Sequence, residues 1–186
     1  MMRLSRSARP ALAAFLSGAV LAAPSLAEET AADSGPTVAA MHLADGTDAG
    51  TISFAQTEHG VVMSVKVHGL SAGKHGLHIH TAGACTPDFT AAGGHFNPAG
   101  TEHGFHATSG YHAGDLPNLE VAADGTAEAE FFVPALSIAG PAGEHLPFVL
   151  ADADGAAIMI HAAADDYKIM ASSGGRLACG VIVPKG

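Results

Sequence analysis

Hydrophobic and polar residues alternate along several short stretches of the chain, as they do in β-strands that bury one face. These stretches cover residues 38–44, 51–56, 61–67 and 77–80. Turn sequences such as DGTDAG, EHG and SAGKHG separate them. Two later segments, residues 119–133 and 148–162, each carry Asp-Gly between apolar runs and predict hairpins. Short strands with frequent turns predict an all-β antiparallel sandwich or barrel.

The sequence GLHIH places two histidines on one face of such a strand. Side chains two residues apart point the same way, so Leu77 and Ile79 should face the core. His78 and His80 then share the opposite face, where they are either metal ligands or polar residues in contact with water. His161, at the edge of the apolar strand IMIHA, offers a third imidazole. With one nitrogen of a fourth ring, these histidines would form an all-imidazole site suited to copper.

The segment over residues 81–115 breaks the strand pattern because it is rich in glycine and has no hydrophobic period. A structureless segment of this length inside a domain needs something to order it. Three imidazoles and one carboxylate, a complete set for structural zinc, follow one another in it: His95, His103, His112 and Asp115. Bound zinc would replace the core that the segment lacks. The alternative is a polar loop whose histidines bind nothing.

The first residues have the composition of an export signal. Arg3, Arg6 and Arg9 precede an apolar run over residues 11–23, and small residues end at Ala27. We therefore expect a cleaved signal peptide over residues 1–27 and one domain over residues 28–186. The apolar run is too short for a convincing membrane span, so no membrane anchor is expected.

Charge and cysteine content narrow the function further. The formal net charge of −10 makes nucleic acid and anionic membranes poor partners, and a small anionic substrate would need a local positive site. Cys85 and Cys179 in an exported chain predict a disulfide. Two thiolate metal ligands are the alternative.

Several blocks of the sequence together resemble one family. GLHIH, a cysteine, GGHFNP, HAGDLPN, IMIHAAADD and GGRLACGVI follow in this order, from about Val38 onward, and are similar to the signature blocks of exported bacterial copper,zinc superoxide dismutase. The resemblance implies a flattened eight-stranded antiparallel Greek-key barrel, an immunoglobulin-like sandwich with a long metal-binding loop. It also implies periplasmic dismutation of superoxide to oxygen and hydrogen peroxide, with copper and zinc as cofactors.

The resemblance assigns two overlapping ligand sets. For copper it implies His78, His80, His95 and His161. For zinc it implies His95, His103, His112 and Asp115. His95 would thus be shared between the two ions as a bridging imidazolate.

Two further residues receive roles from the same resemblance. Asp165 matches a carboxylate that links a copper histidine, here His78, to a zinc histidine, here His103. Arg176 matches an arginine that attracts and orients superoxide, and the Cys85–Cys179 disulfide would help to hold it.

Some features depart from the family pattern or leave alternatives. The loop over residues 162–175 is shorter than in many members of the family it resembles, in which this loop helps to shape the copper channel. Six histidines match no ligand position and are expected to be solvated: His42, His59, His68, His75, His106 and His145. His75 and His106 lie near the sites, and metal recruitment is the alternative for these two. A non-catalytic copper or zinc carrier and an adhesive binding module are the alternative functions. Both a monomer and a homodimer are compatible with the sequence.

Overall fold

The computed structural model describes residues 35–140 and 142–186, and the expected signal peptide over residues 1–27 lies outside them. Ten strands and a short 3-10 helix (Phe89–Ala92) occur within these residues. The strands are β1 (Thr37–Leu43), β2 (Asp48–Thr57), β3 (Gly60–Val67), β4 (Gly73–His80), β5 (Asp115–Val121), β6 (Ala127–Pro134), β7 (Leu136–Ser137), β8 (Phe148–Val149), β9 (Ala156–His161) and β10 (Arg176–Val183). The expected all-β class is confirmed.

Eight of the strands form one antiparallel sheet in the order β5-β4-β9-β10-β1-β2-β3-β6. The two edge strands, β5 and β6, contact each other, so the sheet curls into a nearly closed barrel. Between β3 and β4 the chain crosses from one half of the sheet to the other, which is a Greek-key connection. The predicted eight-stranded barrel is therefore confirmed. β7 and β8 form a separate parallel pair.

Alternation along the strands fills the barrel interior with apolar side chains. Phe54, Met63, Leu77 and Ile79 are fully buried in one core cluster. Burial of each such side chain contributes about 1.5–3 kcal/mol to folding. Within the described residues, no helix has the length and apolar character needed to cross a bilayer.

The two predicted hairpins are wrong in their pairing although their turns form. Gly125 and Gly155 both adopt positive φ, at 82° and 68°, in turns that follow aspartates. The strands on either side of the first turn, β5 and β6, contact each other where the barrel closes but form no hydrogen-bonded ladder among the described residues. The strands around the second turn, β8 and β9, pair with other strands. Asp-Gly favours a turn but does not decide which strands pair.

Candidate metal centre

Four neighbouring strands, β5, β4, β9 and β10, bring the predicted site residues to one region of the barrel wall. Their register sets His78 opposite Asp115 and Arg176 opposite His161. An isolated bridge then joins His80, at the end of β4, to His95 in the loop over residues 81–115. Residues far apart in sequence therefore meet because of strand order.

β4 is buried on both faces at its carboxyl end. Leu77 and Ile79 belong to the barrel core, as predicted, whereas His78 and His80 are 0% and 1% exposed on the opposite face. Two loops cover that face: Ile79 N–H donates to Gly114 O, and Gly76 N–H donates to an oxygen of the 162–175 loop, each at 2.8 Å. The alternative that the two histidines are polar residues facing water is wrong.

The first ligand group contains four buried imidazoles whose candidate ligand atoms lie within 4.8 Å of one another: His78, His80, His95 and His161. In three of them one nitrogen already faces a hydrogen-bond acceptor. His78 Nε2 lies 2.6 Å from Asp165 Oδ2, His80 Nδ1 lies 3.0 Å from Gly93 O, and His161 Nδ1 lies 3.4 Å from Gly174 O. These contacts set the tautomer of each ring.

The other nitrogens of those three rings have no hydrogen-bond partner: His78 Nδ1, His80 Nε2 and His161 Nε2. A buried acceptor left without a partner costs about 1–3 kcal/mol. The lone pairs of neutral imidazoles are ligands for copper and zinc. The donor set therefore fits a transition-metal ion.

Burial keeps these rings neutral. It lowers the pKa of His80 to about 2 and the pKa of His161 to about 4, in both cases against a hydrogen bond to a backbone carbonyl that would raise it. Burial also holds the pKa of His78 well below its ordinary value, with the neighbouring rings of His95 and His161 adding to the effect. Protons therefore compete weakly for the nitrogens that a metal would use.

The second ligand group is the set predicted for zinc, again with ligand atoms within 4.8 Å of one another: His95, His103, His112 and Asp115. His95 belongs to both groups. Asp115 Oδ1 lies 2.8 Å from His95 Nδ1 and 3.1 Å from His103 Nδ1. Burial alone would raise the pKa of Asp115, but hydrogen bonds from His95 and from Gly104 N–H hold the pKa well below its ordinary value. Asp115 is thus a carboxylate, the form that binds a cation.

Asp165 lies between the two groups and is 4% exposed. Its Oδ2 is 2.6 Å from His78 Nε2, and its Oδ1 is 3.2 Å from His103 Nε2. Asn118 holds its backbone from both sides: Asp165 N–H donates to Asn118 Oδ1 at 2.8 Å, and Asn118 Nδ2 donates to Asp165 O at 2.9 Å. We did not predict a role for Asn118. Its place within the block HAGDLPN is the signal that pointed to it.

Arg176 lies beside the first group and is partly buried. Its guanidinium donates to Phe89 O and Gly93 O, which fixes its position against the 81–115 loop. It lines an open groove of about 640 Å³ that Cys85 and Asp88 also line. A small anion can approach the guanidinium from this groove.

Cys85 and Cys179 form a disulfide, as predicted, so the thiolate alternative is wrong. The bond ties the 81–115 loop to β10, three residues beyond Arg176. It therefore joins the strand that carries the arginine to the loop whose carbonyls accept from it.

Five of the six remaining histidines are exposed, as expected for solvated residues: His42, His59, His68, His106 and His145. The expectation is wrong for His75, which is 2% exposed. Its ring nitrogens lie 2.7 Å from His161 O and 2.8 Å from Ser71 O. A neutral imidazole has one N–H, so this ring donates to one of the two carbonyls at a time. Its sequence position does not reveal these contacts beneath the first ligand group.

The fold and the site define a class of protein, an all-β barrel that carries two adjoining ligand groups for transition metals. The family model for copper/zinc superoxide dismutase (SODC) matches residues 48–182. The chain belongs to this family. Membership confirms the expected enzyme class, a superoxide dismutase, and the expected cofactors, copper and zinc.

Similar proteins agree with this family assignment. A copper-zinc superoxide dismutase of Caulobacter vibrioides is 43% identical over 142 residues, which are 74% of this chain and 80% of the relative. The superoxide dismutase-like protein YojM of Bacillus subtilis is 40% identical over 144 residues, 75% of this chain and 71% of the relative. The crystal structure of a SOD-like protein from Bacillus subtilis superimposes with a TM-score of 0.71 at 36% identity, and covers 78% of this chain and 97% of that one.

Proposed function

We propose that the chain dismutates superoxide at a copper ion held by the first ligand group, with a structural zinc ion in the second. The observation that carries this proposal is the set of three partnerless nitrogens beside an arginine, on His78, His80 and His161. When bound, copper supplies the one-electron exchange by which two superoxide ions and two protons become oxygen and hydrogen peroxide. Zinc has no redox chemistry, so its proposed role is to order the 81–115 loop.

His95 is the proposed shared ligand. One ring can serve two ions only through its two nitrogens, and Nδ1 of His95 already lies on the zinc side, 2.8 Å from Asp115 Oδ1. This leaves Nε2 for the copper set.

Arg176 is the proposed substrate-binding residue. Its charge is permanent and its donors form a rigid fork, which suits recognition of a small anion. The chain as a whole is anionic, with a formal net charge of −10. A local cation in the groove therefore has to overcome the repulsion that superoxide meets in solution.

The second candidate function is a metal carrier on the same barrel. It is retained because one relative, YojM, is named as superoxide dismutase-like and not as a superoxide dismutase. Arg176→Gln distinguishes the two functions. We expect copper and zinc contents to remain at wild-type values, because Arg176 contributes no metal ligand, while superoxide consumption falls on the order of tenfold or more.

Lys185→Gln is the matched control, since it removes a cation whose partner is the exposed Asp154. We expect it to consume superoxide at the wild-type rate. Fully metallated wild-type protein that consumes no superoxide would establish the carrier instead.

We also propose export to the periplasm after cleavage of residues 1–27, leaving a domain over residues 28–186. The arginines, the apolar run and the small residues before Ala27 support this. The disulfide also supports it, because such bonds persist in oxidising compartments. The mass of the protein recovered from a periplasmic fraction tests the cleavage, and sedimentation of the same sample distinguishes monomer from homodimer.

A further inference from the structure

Two exposed turns carry the same pair of residues, a glutamate followed by a histidine. Glu58 and His59 form the turn between β2 and β3, where the residues on either side, Thr57 and Gly60, pair across the hairpin. The second turn runs from residue 143 to residue 146 and is closed by two backbone hydrogen bonds between its ends, at 3.1 and 3.3 Å. Glu144 and His145 stand at its tip.

The two histidine rings of these turns meet edge to face. The ring centroids of His59 and His145 are 5.7 Å apart and their planes are inclined by 76°. Centroids of rings in the buried ligand groups lie at the same spacing, 5.7 Å for His80 and His161. The two exposed imidazoles are therefore close enough to bind one ion together.

The first turn is held in place against the segment that leads to the second. Ala135 N–H donates to His59 O at 3.0 Å. Gln56 adds two contacts, because its Nε2 donates to Leu136 O at 3.3 Å and its Oε1 accepts from Ile138 N–H at 2.8 Å. Binding of an ion between the turns would therefore lose less conformational entropy, because the fold already orders the first turn.

We propose that His59 and His145 form a two-histidine surface site for one divalent transition-metal ion such as Zn²⁺, with water in the remaining coordination positions. Imidazole nitrogen is a common zinc ligand. Neither histidine belongs to the buried ligand groups. The site goes beyond superoxide turnover, because it would hold metal on the outside of a protein whose negative net charge attracts cations.

Calorimetric titration of the holoenzyme with Zn²⁺ tests the site, since its copper and zinc are already in place. We expect one further equivalent to bind to the wild type. His59→Ala and His145→Ala should each weaken that binding by about tenfold or more, because even partners of metal ligands cost that much when removed. Both side chains are exposed, so both variants should keep the wild-type unfolding temperature.

His68→Ala is the matched control, because His68 is an exposed histidine beside Asp48, at 3.8 Å, and not beside a second ring. It should bind the further equivalent as the wild type does. Retention on an immobilised Ni²⁺ column should follow the same order. The proposal is overturned if wild-type holoenzyme binds no further Zn²⁺, if both single variants bind it unchanged, or if His68→Ala weakens it equally.

Discussion

Asp165 belongs to neither ligand group but contacts a histidine of each, through His78 Nε2 and His103 Nε2. An amide in its place has one acceptor oxygen and a donor nitrogen, so it can accept from one ring while its NH₂ group faces the other. We expect Asp165→Asn to lower copper and zinc affinity about 10- to 100-fold, the usual cost of losing such a partner. Metal retention against a chelator measures the change.

The neighbouring acid provides the control for that prediction. Asp166 is exposed and accepts from the N–H groups of Lys168 and Ile169, with no contact to a ligand ring. Asp166→Asn should retain metal as the wild type does. Equal retention by Asp165→Asn would show that the carboxylate does not orient the ligands.

The buried histidines also predict how the metal-free protein responds to pH. Burial lowers the pKa of His80 to about 2 and of His161 to about 4, both below the unfolded value of 6.5. Below about pH 6.5 the unfolded chain therefore binds more protons than the folded one, so the free energy of unfolding decreases as the pH is lowered. Each histidine can lower it by at most about 1.4 kcal/mol per pH unit.

Urea unfolding of the metal-free protein, measured from about pH 7.5 down to about pH 4.5, tests this dependence. The stability should be fully present near neutral pH and should decline through the acid range. His80→Asn removes one of the titrating rings and should give a shallower decline. An unfolding free energy that stays level over this range would contradict buried neutral rings.

At the scale of elements, the site depends on contact between two loops. Gly104 in the 81–115 loop has φ of 87°, and a Cβ atom there would lie 2.1 Å from the backbone of Tyr167 in the 162–175 loop. Gly104→Ala should therefore force the loops apart, beyond the roughly 1–2 kcal/mol that an L-residue pays in a left-handed conformation. We expect a lower unfolding temperature and faster loss of zinc, because Gly104 N–H also donates to Asp115 Oδ2 at 2.7 Å.

Gly100 offers a control that isolates the backbone effect. It has φ of 64°, and a Cβ atom there would meet nothing within 4 Å. Gly100→Ala should lower the free energy of unfolding only by the roughly 1–2 kcal/mol of the left-handed conformation and leave zinc retention unchanged. If both variants lose zinc at the same rate, loop contact is not what holds the second group.

The elements also show how far a sequence can predict this structure. The strands around Leu77 and Ile79 were predictable because alternation reports a buried face. The sequence blocks also named the side chains that meet in the two candidate ligand groups. Strand pairing around Gly125 was not, because an Asp-Gly turn reports local conformation alone. The contacts of His75 and Asn118 are long-range, with backbone groups of His161 and Asp165. The block HAGDLPN draws attention to Asn118 but does not name its partner, and nothing in the local sequence marks His75.

At the scale of the whole molecule, the barrel positions one cation within an anionic chain. The net charge of −10 repels small anions from the molecule as a whole, so their approach is favoured only near positive groups such as Arg176. The guanidinium depends on carbonyls of the 81–115 loop, and that loop depends on β10 through the disulfide. The position of Arg176, and with it the proposed binding of superoxide, is therefore coupled to the covalent link between distant parts of the chain.

The disulfide accordingly predicts a loss of both stability and turnover when it is removed. Cys85 and Cys179 are 94 residues apart, and closing a loop of that length restricts the unfolded chain by about 4–5 kcal/mol in the chain-entropy model. Replacing both cysteines by serine should lower the free energy of unfolding by roughly that amount, or somewhat less, in guanidinium titrations of the holoenzyme. Superoxide consumption should fall further than copper content, because the bond positions Arg176 and contributes no ligand. Removing the exposed Lys185–Asp154 ion pair by Asp154→Asn should change stability by less than about 1 kcal/mol. A double-serine variant that turned over superoxide at the wild-type rate would show that the loop holds Arg176 without the covalent bond.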